Sequence, residues 1–441
     1  MTRAEVLVIG AGPAGIAAAT AAATNGSEVI VLDDNLAPGG QIWRESIAPA
    51  TDGGPRQRAL DALRRSGAQV LNGRSVFTAE VSGSSAAGSG GAAASGIVQT
   101  LEETTGRVEE FRFDKLILAT GARERFLPFP GWTLPGVLGA GGLQALVRGG
   151  YSVVGKRIVV AGTGPLLLAV AAHLAADGAT IATVLEQASL EQLGPFVLSL
   201  LGDPAKLLQA ARYRRKLWRT PYRTGCWVVE AVAGSSGQSL AAVRITDGSA
   251  TWTEPCDLLA FGYHLVPNTQ IAELLGCTLR GSFVGVDASQ RTSLANVFCA
   301  GEPTGIAGLE AALLQGEIAG LVCAGRPATA LHTRAAAARA LGVRMEQAFA
   351  LRDELRSLPR ADTLVCRCED VPFGDLEFRT GWTDAKLQTR CGMGPCQGRV
   401  CGPAVEHLLG WRPVSVRQPL SPVPLEALCV HGETAETSNN R

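Results

Sequence analysis

The sequence predicts an α/β protein in which one nucleotide-binding unit is inserted into another and a small, helix-rich, cysteine-rich domain follows. Residues 5–34 and 156–186 each run strand, glycine turn, alanine-rich helix, strand and acidic residue. That order is typical of a βαβ unit built on a parallel sheet. Five of the eleven cysteines fall within residues 366–401. The chain therefore combines two units of one kind with a third domain of different chemistry.

Composition narrows the class of partner. The 441 residues are 46% hydrophobic, enough for two or three domains with buried cores, and 40 basic residues balance 40 acidic ones. This balance gives no overall charge footprint for nucleic acid. An odd number of cysteines, half of them clustered, indicates metal or redox use in a reducing compartment. The uncharged stretch 6–27 could suggest a signal peptide or a membrane span, but its glycines and alanines argue against both. We therefore predict a cytoplasmic protein.

The first unit has the pattern of a Rossmann-like dinucleotide-binding domain. Gly10 allows a tight turn, Gly12 lets the backbone approach a pyrophosphate, and Gly15 permits close packing of helix on sheet. The helix N-terminus then faces the phosphates. An acid at the end of the second strand is placed to accept hydrogen bonds from a ribose. The predicted contacts of this unit are Gly10, Gly12, Pro13, Ala14, Gly15, Asp33 and Asp34.

Three further stretches resemble signatures of flavoproteins with two dinucleotide-binding domains, such as glutathione and thioredoxin reductases. They are LDDNLAPGGQIWR (32–44), KLILATGARERFLPFPG (115–131) and TSLANVFCAGEPTGIAGLEAALLQGEIAG (292–320). The resemblance implies FAD, with the rest of the cofactor lined by Gly40, Gln41, Thr120, Gly121, Gly301 and Glu302. At the position of Glu302 that family usually has Asp. The implied domains are residues 1–130 with 288–330 for FAD, and residues 131–287 for the second unit.

The second unit departs from the fingerprint of a nicotinamide site. Gly162 and Gly164 are present, but Leu167 replaces the third glycine, and no basic pair follows Glu186 to meet an NADP phosphate. We predict a fold kept for structure or for another adenine nucleotide, with NAD(P)H binding left open. The glycine turns are followed by no C-x-x-C or C-x4-C dithiol, and the five histidines are isolated from one another. No residue is therefore assigned as catalytic.

Three segments carry no predicted chemistry. The Gly/Ser/Ala run 82–96 is predicted to be a mobile loop or hairpin tip. Residues 331–360 are predicted to be a helical linker, because apolar positions recur three or four apart. The polar end, 431–441, is predicted to be a disordered tail. Residues 361–430 then form the cysteine domain.

The clustered cysteines predict an iron–sulfur cluster. Four thiolates suit zinc or an iron–sulfur cluster, but C-x-C with C-x4-C is unusual for structural zinc, which more often takes C-x2-C pairs. Glycines and Pro395 around the second pair would leave backbone N–H groups free for the cluster sulfurs. Five cysteines compete for four places. By spacing alone, Cys391/Cys396 and Cys396/Cys401 are equally good C-x4-C pairs.

The stretches VCRCEDV (365–371) and KLQTRCGMGPCQGRVCGPAV (386–405) are similar to the end of the large subunits of opine oxidases, hydrogen cyanide synthase and dye-linked proline or hydroxyproline dehydrogenases. There the segment is related to bacterioferritin-associated ferredoxin. The resemblance assigns a 2Fe–2S cluster to Cys366, Cys368, Cys396 and Cys401. Cys391 stands where the family commonly has a small residue, and so becomes the spare. The stretches AGTGPLLLAVA and FGYHLVPNT (261–269) resemble the same group.

The resemblance also implies a partner. In that group a separate β subunit, similar to D-amino-acid and sarcosine oxidases, holds the FAD that oxidises a C–N bond. This chain would be the α subunit, passing electrons to a quinone or a soluble carrier, and could lie at the inner membrane periphery. An FMN at the subunit interface and a small γ subunit are left open. Two alternatives also stay open: a self-contained NAD(P)H-dependent reductase of a ferredoxin-like acceptor, and a protein that uses its cysteines only to sense iron or hold zinc.

Overall fold

The computed structural model describes residues 2–44, 53–81, 95–235, 237–413 and 415–429. The strands are β1 (Thr2–Ile9), β2 (Val29–Asp33), β3 (Gln69–Asn72), β4 (Arg74–Val81), β5 (Gly96–Glu102), β6 (Val108–Leu118), β7 (Ala122–Glu124), β8 (Val137–Gly139), β9 (Arg157–Thr163), β10 (Thr180–Glu186), β11 (Tyr222–Thr224), β12 (Trp227–Ala233), β13 (Leu240–Thr246), β14 (Thr251–Pro255), β15 (Leu258–Tyr263), β16 (Leu265–Pro267), β17 (Leu279–Arg280), β18 (Phe283–Val284), β19 (Val297–Cys299), β20 (Leu364–Cys366) and β21 (Val371–Pro372).

The α-helices vary in length from about one turn to about five turns. They are α1 (Pro13–Thr24), α2 (Pro55–Ser66), α3 (Ala140–Arg148), α4 (Leu166–Ala176), α5 (Leu190–Ser199), α6 (Pro204–Lys216), α7 (Gln270–Leu275), α8 (Gly308–Cys323), α9 (Thr329–Ala348), α10 (Gly374–Glu377), α11 (Trp382–Thr389), α12 (Cys401–Leu409) and α13 (Leu425–Cys429). Among the described residues, none of these helices combines the length and the apolar composition that a membrane crossing requires.

The first unit is a seven-stranded sheet in the order β3-β2-β1-β6-β5-β4, with β19 paired to β6. Strands β3, β2, β1, β6 and β19 are parallel, while β4, β5 and β6 form an antiparallel meander. The apolar residues of β1 and β2 are buried on both sides, as expected of a parallel sheet between helices. The loop predicted at 82–96 joins β4 to β5, but residues 82–94 lie outside the described part of the chain.

Helices α1 and α8 pack backbone to backbone on one face of this sheet. A Cβ atom at Gly316 would overlap the carbonyl oxygen of Ala14, and one at Gly320 would overlap that of Ala18. Only glycine at these positions lets the two helices approach so closely. The glycine spacing of α8 therefore brings the last flavoprotein-like signature against the first.

The second unit is a five-stranded parallel sheet in the order β11-β10-β9-β15-β8. A separate antiparallel meander, β12-β13-β14, covers it, and an antiparallel pair of β7 with β16 connects the two units. The predicted α/β class with one unit inserted in the other is confirmed by this topology.

The chain returns to the first unit earlier than the sequence predicted. The predicted second unit extended to residue 287, but helix α7 and strand β18 pack against the first sheet. Ala272, Cys277, Val284 and Val286 share one buried cluster with Leu7 and other residues of β1 and β6. We therefore place the return near residue 268, directly after β16, because the apolar side chains that follow bury against the first sheet.

The third domain is small and touches both units. After α9, residues 353–357 form a short 3-10 helix, and Leu355 and Leu358 bury in the core of the second unit. A β20–β21 hairpin and helices α10–α12 follow. Beyond them the backbone N–H of Leu420 donates to the carbonyl of Phe77 in the first unit at 2.8 Å. The predicted tail 431–441 lies outside the described residues.

Candidate functional site

The first glycine turn forms an open cradle. Gly10 has φ +102°, and a Cβ there would clash with the Ala119 carbonyl, while a Cβ at Gly15 would overlap the carbonyl of Gly10. A Cβ at Gly12, by contrast, would meet nothing within 4 Å. Helix α1 begins directly after Gly12, with Pro13 in its first turn. The space beside Gly12 therefore lies at a helix N-terminus, where the dipole and free N–H groups favour phosphate.

The other predicted segments converge on this turn. The backbone N–H of Gly39 donates to the Ala11 carbonyl at 2.8 Å, and a Cβ on Gly40 would lie 3.0 Å from Cα of Gly12. A Cβ on Gly301 would lie 2.9 Å from Cβ of Ala14. Thr120 and Gly121 directly follow Ala119, whose carbonyl lies against Gly10. The structure thus brings the four signature segments to one edge of the first sheet.

The predicted acids of this site differ in their freedom. Asp33 is buried, and its carboxylate already accepts hydrogen bonds from the backbone N–H groups of Ala11 and Asn35 and from Asn35 Nδ2. Asp33 therefore stabilises the glycine turn, and only its remaining lone pairs could accept hydrogen bonds from a ribose. Asp34 and Gln41 are exposed, and Gln41 accepts from Arg44 Nη2 at 2.9 Å.

Glu302 is the opposite of Asp33 in its hydrogen bonding. Burial raises the pKa of Glu302, and no hydrogen bond to its carboxylate is present within the described ranges of the chain. A partly buried carboxylate without a partner is costly. Hydroxyl donors of a bound cofactor would remove that cost, so the side chain fits the ribityl contact that the sequence implied.

The second unit holds its strand-end acid in the same way as the first unit holds Asp33, by hydrogen bonds from the glycine turn and from the residue two positions further on. Glu186 is fully buried, and its carboxylate accepts from Thr163 Oγ1 at 2.8 Å, Gly164 N at 2.7 Å and Ala188 N at 2.9 Å. Burial nevertheless raises the pKa of Glu186 to about 7. The residue that would meet the ribose of a nicotinamide cofactor is therefore enclosed by its own neighbours.

A connecting segment, residues 349–352, seals this end of the second unit. Thr163 Oγ1, which donates to Glu186, lies 3.2 Å from the Phe349 carbonyl oxygen, and Gln187 Nε2 donates to the Ala350 carbonyl at 3.0 Å. The backbone N–H of Arg352 donates to Gln187 Oε1 at 3.1 Å. The segment thus covers the carboxyl ends of β9 and β10, where an adenosine would bind in an open sheet of this type.

The cysteines of the third domain form an inner and an outer group. The sulfur atoms of Cys366, Cys391 and Cys401 all lie within 4.8 Å of one another and are buried. Cys368 is exposed and Cys396 is half-buried. Hydrogen bonds from the Cys391 and Cys401 thiols lower the pKa of Cys366. The ligand set implied by the sequence therefore includes two members of the inner group and omits Cys391.

A cavity of about 300 Å³ supports the set that the resemblance implied. Its cysteine lining consists of Cys366, Cys368, Cys396 and Cys401. Cys391 is not part of this lining, although it shares the domain's buried core cluster with Cys366 and Cys401. The sulfur distances and the cavity thus give different sets. A cluster needs volume between its ligands as well as proximity of the sulfur atoms, and the cavity provides that volume beside Cys366, Cys368, Cys396 and Cys401.

The opposite wall of the cavity belongs to the second unit and is aromatic. Phe126, Trp132 and Phe261 line it. Trp132 Nε1 donates to the Leu364 carbonyl at 2.6 Å, which anchors the wall to the strand that carries Cys366. A cluster in this cavity would therefore be shielded from water on one side by aromatic rings.

The glycines of the cysteine loop serve packing that the sequence did not reveal. A Cβ on Gly394 would overlap Cβ of Cys368, so this glycine lets the two cysteine segments meet. A Cβ on Gly392 would lie 2.7 Å from the Trp382 ring. Arg390 Nε also donates to Glu369 Oε2 at 2.6 Å across the two segments. These contacts have no local pattern, so the sequence shows the glycines without showing what they pack against.

Comparison with known proteins fits this site. Residues 4–329 match the family described as pyridine nucleotide-disulphide oxidoreductase, and the chain belongs to that family. It is an oxidoreductase of the flavoprotein class. Within that class it is 33% identical to hydrogen cyanide synthase subunit HcnB of Pseudomonas aeruginosa, over 96% of this chain and 97% of that protein. It is 31% identical to one of the subunits of opine oxidase from Agrobacterium tumefaciens, over 98% of this chain and 92% of that protein.

A solved structure shares the fold over almost the whole chain. L-proline dehydrogenase from P. horikoshii superimposes with a TM-score of 0.67 at 18% identity, covering 97% of this chain and 79% of that one. At this identity the likeness concerns the fold alone.

Proposed function

We propose that this chain is the FAD- and 2Fe–2S-containing subunit of a heteromeric amine or amino-acid dehydrogenase, of the opine, proline or hydroxyproline kind. Its role is to take electrons from a catalytic flavoprotein β subunit and pass them to a quinone or a soluble carrier. The cavity lined by Cys366, Cys368, Cys396 and Cys401 carries this proposal. Relatives named as subunits of an oxidase and of a synthase support it.

The chain's own residues would perform the binding. The N-terminus of α1 and the open side of Gly12 would hold the FAD pyrophosphate, with Gly40 folded over it. The Glu302 carboxylate, which has no hydrogen-bond partner among the described residues, would accept hydrogen bonds from the ribityl chain. Bound FAD and cluster would supply, respectively, acceptance of an electron pair and its release as single electrons.

The second unit supports an electron source other than a nicotinamide. The connecting segment 349–352 covers the edge of the sheet beside its acid, Glu186, through the bonds of Gln187 Nε2 to the Ala350 carbonyl and of Arg352 N to Gln187 Oε1. A nicotinamide cofactor would have to displace these internal bonds. Electrons are therefore proposed to arrive from the β subunit.

An exposed apolar surface is the proposed binding place of the β subunit. Large apolar side chains along α5, the 200–202 turn and α6 are more than half exposed, and patches of this kind mark protein interfaces. They are Leu190, Val197, Leu198, Leu201 and Leu208, with Trp218 beyond the end of α6.

Anaerobic spectroscopy tests the role. The purified chain alone and the chain with its co-expressed neighbour would each receive NADH, NADPH and a panel of proline-like and opine substrates. We expect bleaching of the flavin by an amino acid only when the neighbour is present. Bleaching of the lone chain by a nicotinamide would instead make it a reductase in its own right. Zinc without labile sulfide would remove the redox role altogether.

Two single substitutions test the ligand set. Cys401→Ala should abolish the visible absorbance of the cluster, while Cys391→Ala should retain it, because only Cys401 lines the cavity. Iron and sulfide analysis of both variants measures the outcome. Survival of the cluster in Cys401→Ala and its loss in Cys391→Ala would transfer the ligand role to Cys391, which the short sulfur distances would then explain.

A further inference from the structure

Two arginines lie between the proposed flavin site and the proposed cluster. Arg123, in β7, and Arg399, in the cysteine loop, are partly buried, and Arg123 Nε donates to the Arg399 carbonyl at 3.0 Å. Arg399 itself is tied to Cys396, since its backbone N–H and its Nη1 both donate to the Cys396 carbonyl, at 3.0 and 3.4 Å. The two cations therefore stand beside one cluster ligand.

Neither arginine forms an ion pair with a carboxylate in the described ranges of the chain. Their remaining partners are neutral. Arg123 Nη1 donates to Asn268 Oδ1 at 2.7 Å, and Arg399 Nη2 donates to the Leu420 carbonyl at 2.9 Å. Burial, together with the nearby charge of Arg399, lowers the pKa of Arg123 to about 10. The charges of Glu273, near Arg123, and Asp34, near Arg399, act on these cations without an ion pair, so further negative charge beside them would be favourable.

A cluster held by thiolates supplies that negative charge. Four thiolates around iron and sulfide leave the centre anionic, and each electron it accepts adds to that charge. Charge and hydrogen bonds near the ligands set the reduction potential of such a centre. Arg123 and Arg399 are correctly placed to compensate this charge on the Cys396 side.

Arg123 also reaches the flavin side through Asn268. Asn268 Nδ2 donates to the Thr120 carbonyl at 2.9 Å, its backbone N–H donates to the Gly121 carbonyl at 3.0 Å, and Thr120 Oγ1 donates back to the Asn268 carbonyl. Thr120 and Gly121 belong to the implied flavin lining, and a Cβ at Gly121 would meet nothing within 4 Å. Hydrogen bonds of 2.9, 2.7 and 3.0 Å thus join Thr120, Asn268, Arg123 and the Arg399 carbonyl in one continuous path.

We propose that Arg123 and Arg399 are the counter-charges of the cluster, that they raise its reduction potential, and that Arg123 with Asn268 forms the path along which an electron leaves the flavin edge for Cys396. This inference rests on the proposed function. In this step the FAD of this chain, supplied with an electron pair by amine oxidation in the β subunit, would give one electron to the oxidised cluster. The second electron would follow once the cluster has passed the first to the quinone or soluble carrier. Each arginine keeps its proton throughout.

A potentiometric titration of the holoprotein tests the counter-charge. Electron paramagnetic resonance monitors the reduced cluster during the titration and gives its reduction potential. At a fixed ambient potential we expect Arg123→Gln and Arg399→Gln each to lower the ratio of reduced to oxidised cluster about tenfold, which is about 59 mV for one electron. Arg123→Lys keeps the charge and should leave the potential close to that of the parent protein, while slowing flavin-to-cluster transfer in stopped-flow spectra because the Nε bond to Arg399 is lost.

Arg125→Gln is the matched control. Arg125 lies two residues further along the chain and is also partly buried, but its charge faces Glu406 and Glu346, whereas the charges of Arg123 and Arg399 both face Cys396. Arg125→Gln should shift the reduction potential of the cluster by much less than Arg123→Gln does. Unchanged potentials in both Arg123→Gln and Arg399→Gln, or an equal shift in Arg125→Gln, would overturn the inference. Absence of iron and sulfide in the parent protein would overturn the proposed function instead, so the two failures are distinguishable.

Discussion

The two nucleotide units of this molecule share a scaffold and differ in what meets the end of their second strand. In the first, Gly12 faces open space and Glu302 has no internal partner among the described residues. In the second, residues 349–352 lie across the sheet edge beside Glu186, an acid that is hydrogen-bonded to its own neighbours much as Asp33 is in the first unit. The difference shows that a βαβ unit can be converted from a cofactor site into an attachment site for another part of its own chain.

The largest effect is expected at the open cradle. Gly12→Val places methyl groups where the structure has no protein atoms and φ is −73°, so the fold should persist while bound FAD falls at least tenfold. The ratio of flavin absorbance to protein measures this. Gly194→Val, in α5 of the second unit, also enters open space and should retain the flavin. Full flavin content in Gly12→Val would refute the cradle.

A second effect should come from the pH dependence of the sealed acid. The pKa of Glu186 rises from 4.5 to about 7 on folding, so the folded state binds more protons and stability falls as pH rises through that interval. Glu186→Gln removes this dependence, which is worth roughly 3 kcal/mol.

Urea unfolding between about pH 5 and 7.5 measures this difference. The advantage of the parent protein over Glu186→Gln should be greatest at the acid end and should shrink as pH rises. The exposed Glu191→Gln serves as control and should follow the parent curve. An advantage that is constant across this range would mean that Glu186 is ionised throughout.

The smallest effect concerns the connecting segment itself. The Arg352 guanidinium lies 3.7 Å from the centre of the Trp227 ring and donates to Glu354 Oε1 at 2.8 Å. Arg352→Ala should therefore destabilise the second unit by about 1–2 kcal/mol without changing the flavin spectrum. Thermal unfolding gives the value. Arg356→Ala, whose ion pair with Asp353 is exposed, should cost less than about 0.5 kcal/mol, and equal losses would deny Arg352 any special role.

Local patterns explain how much the sequence could reveal. The glycine turns, the buried strands and the α8 signature are short and self-contained, so the α/β class and the convergence of Gly12, Gly40 and Gly301 followed from them. The clustering of Cys366 with Cys401 was likewise visible as density of one residue type.

The missed features all depend on long-range contacts. Nothing local to Phe349 or Ala350 indicates that their carbonyls lie against Thr163 and Gln187, more than 160 residues earlier. The same holds for the return of α7 to the first sheet, which is decided by where Ala272 can bury. The pairing of Arg123 with Arg399 joins residues 276 apart, and no periodicity encodes it.

The attachments of the third domain have a mechanical consequence. Leu355 buries in the second unit, Leu420 bonds to Phe77 of the first, and β7 with β16 joins the units directly. The two nucleotide units and the third domain are each attached to the other two. No one of them can rotate about a single attachment while the other attachments stay intact. One unit swinging against the other would have to break one of these attachments. Such a frame is braced against hinge motion between the two units, so we expect the three bodies to move as one.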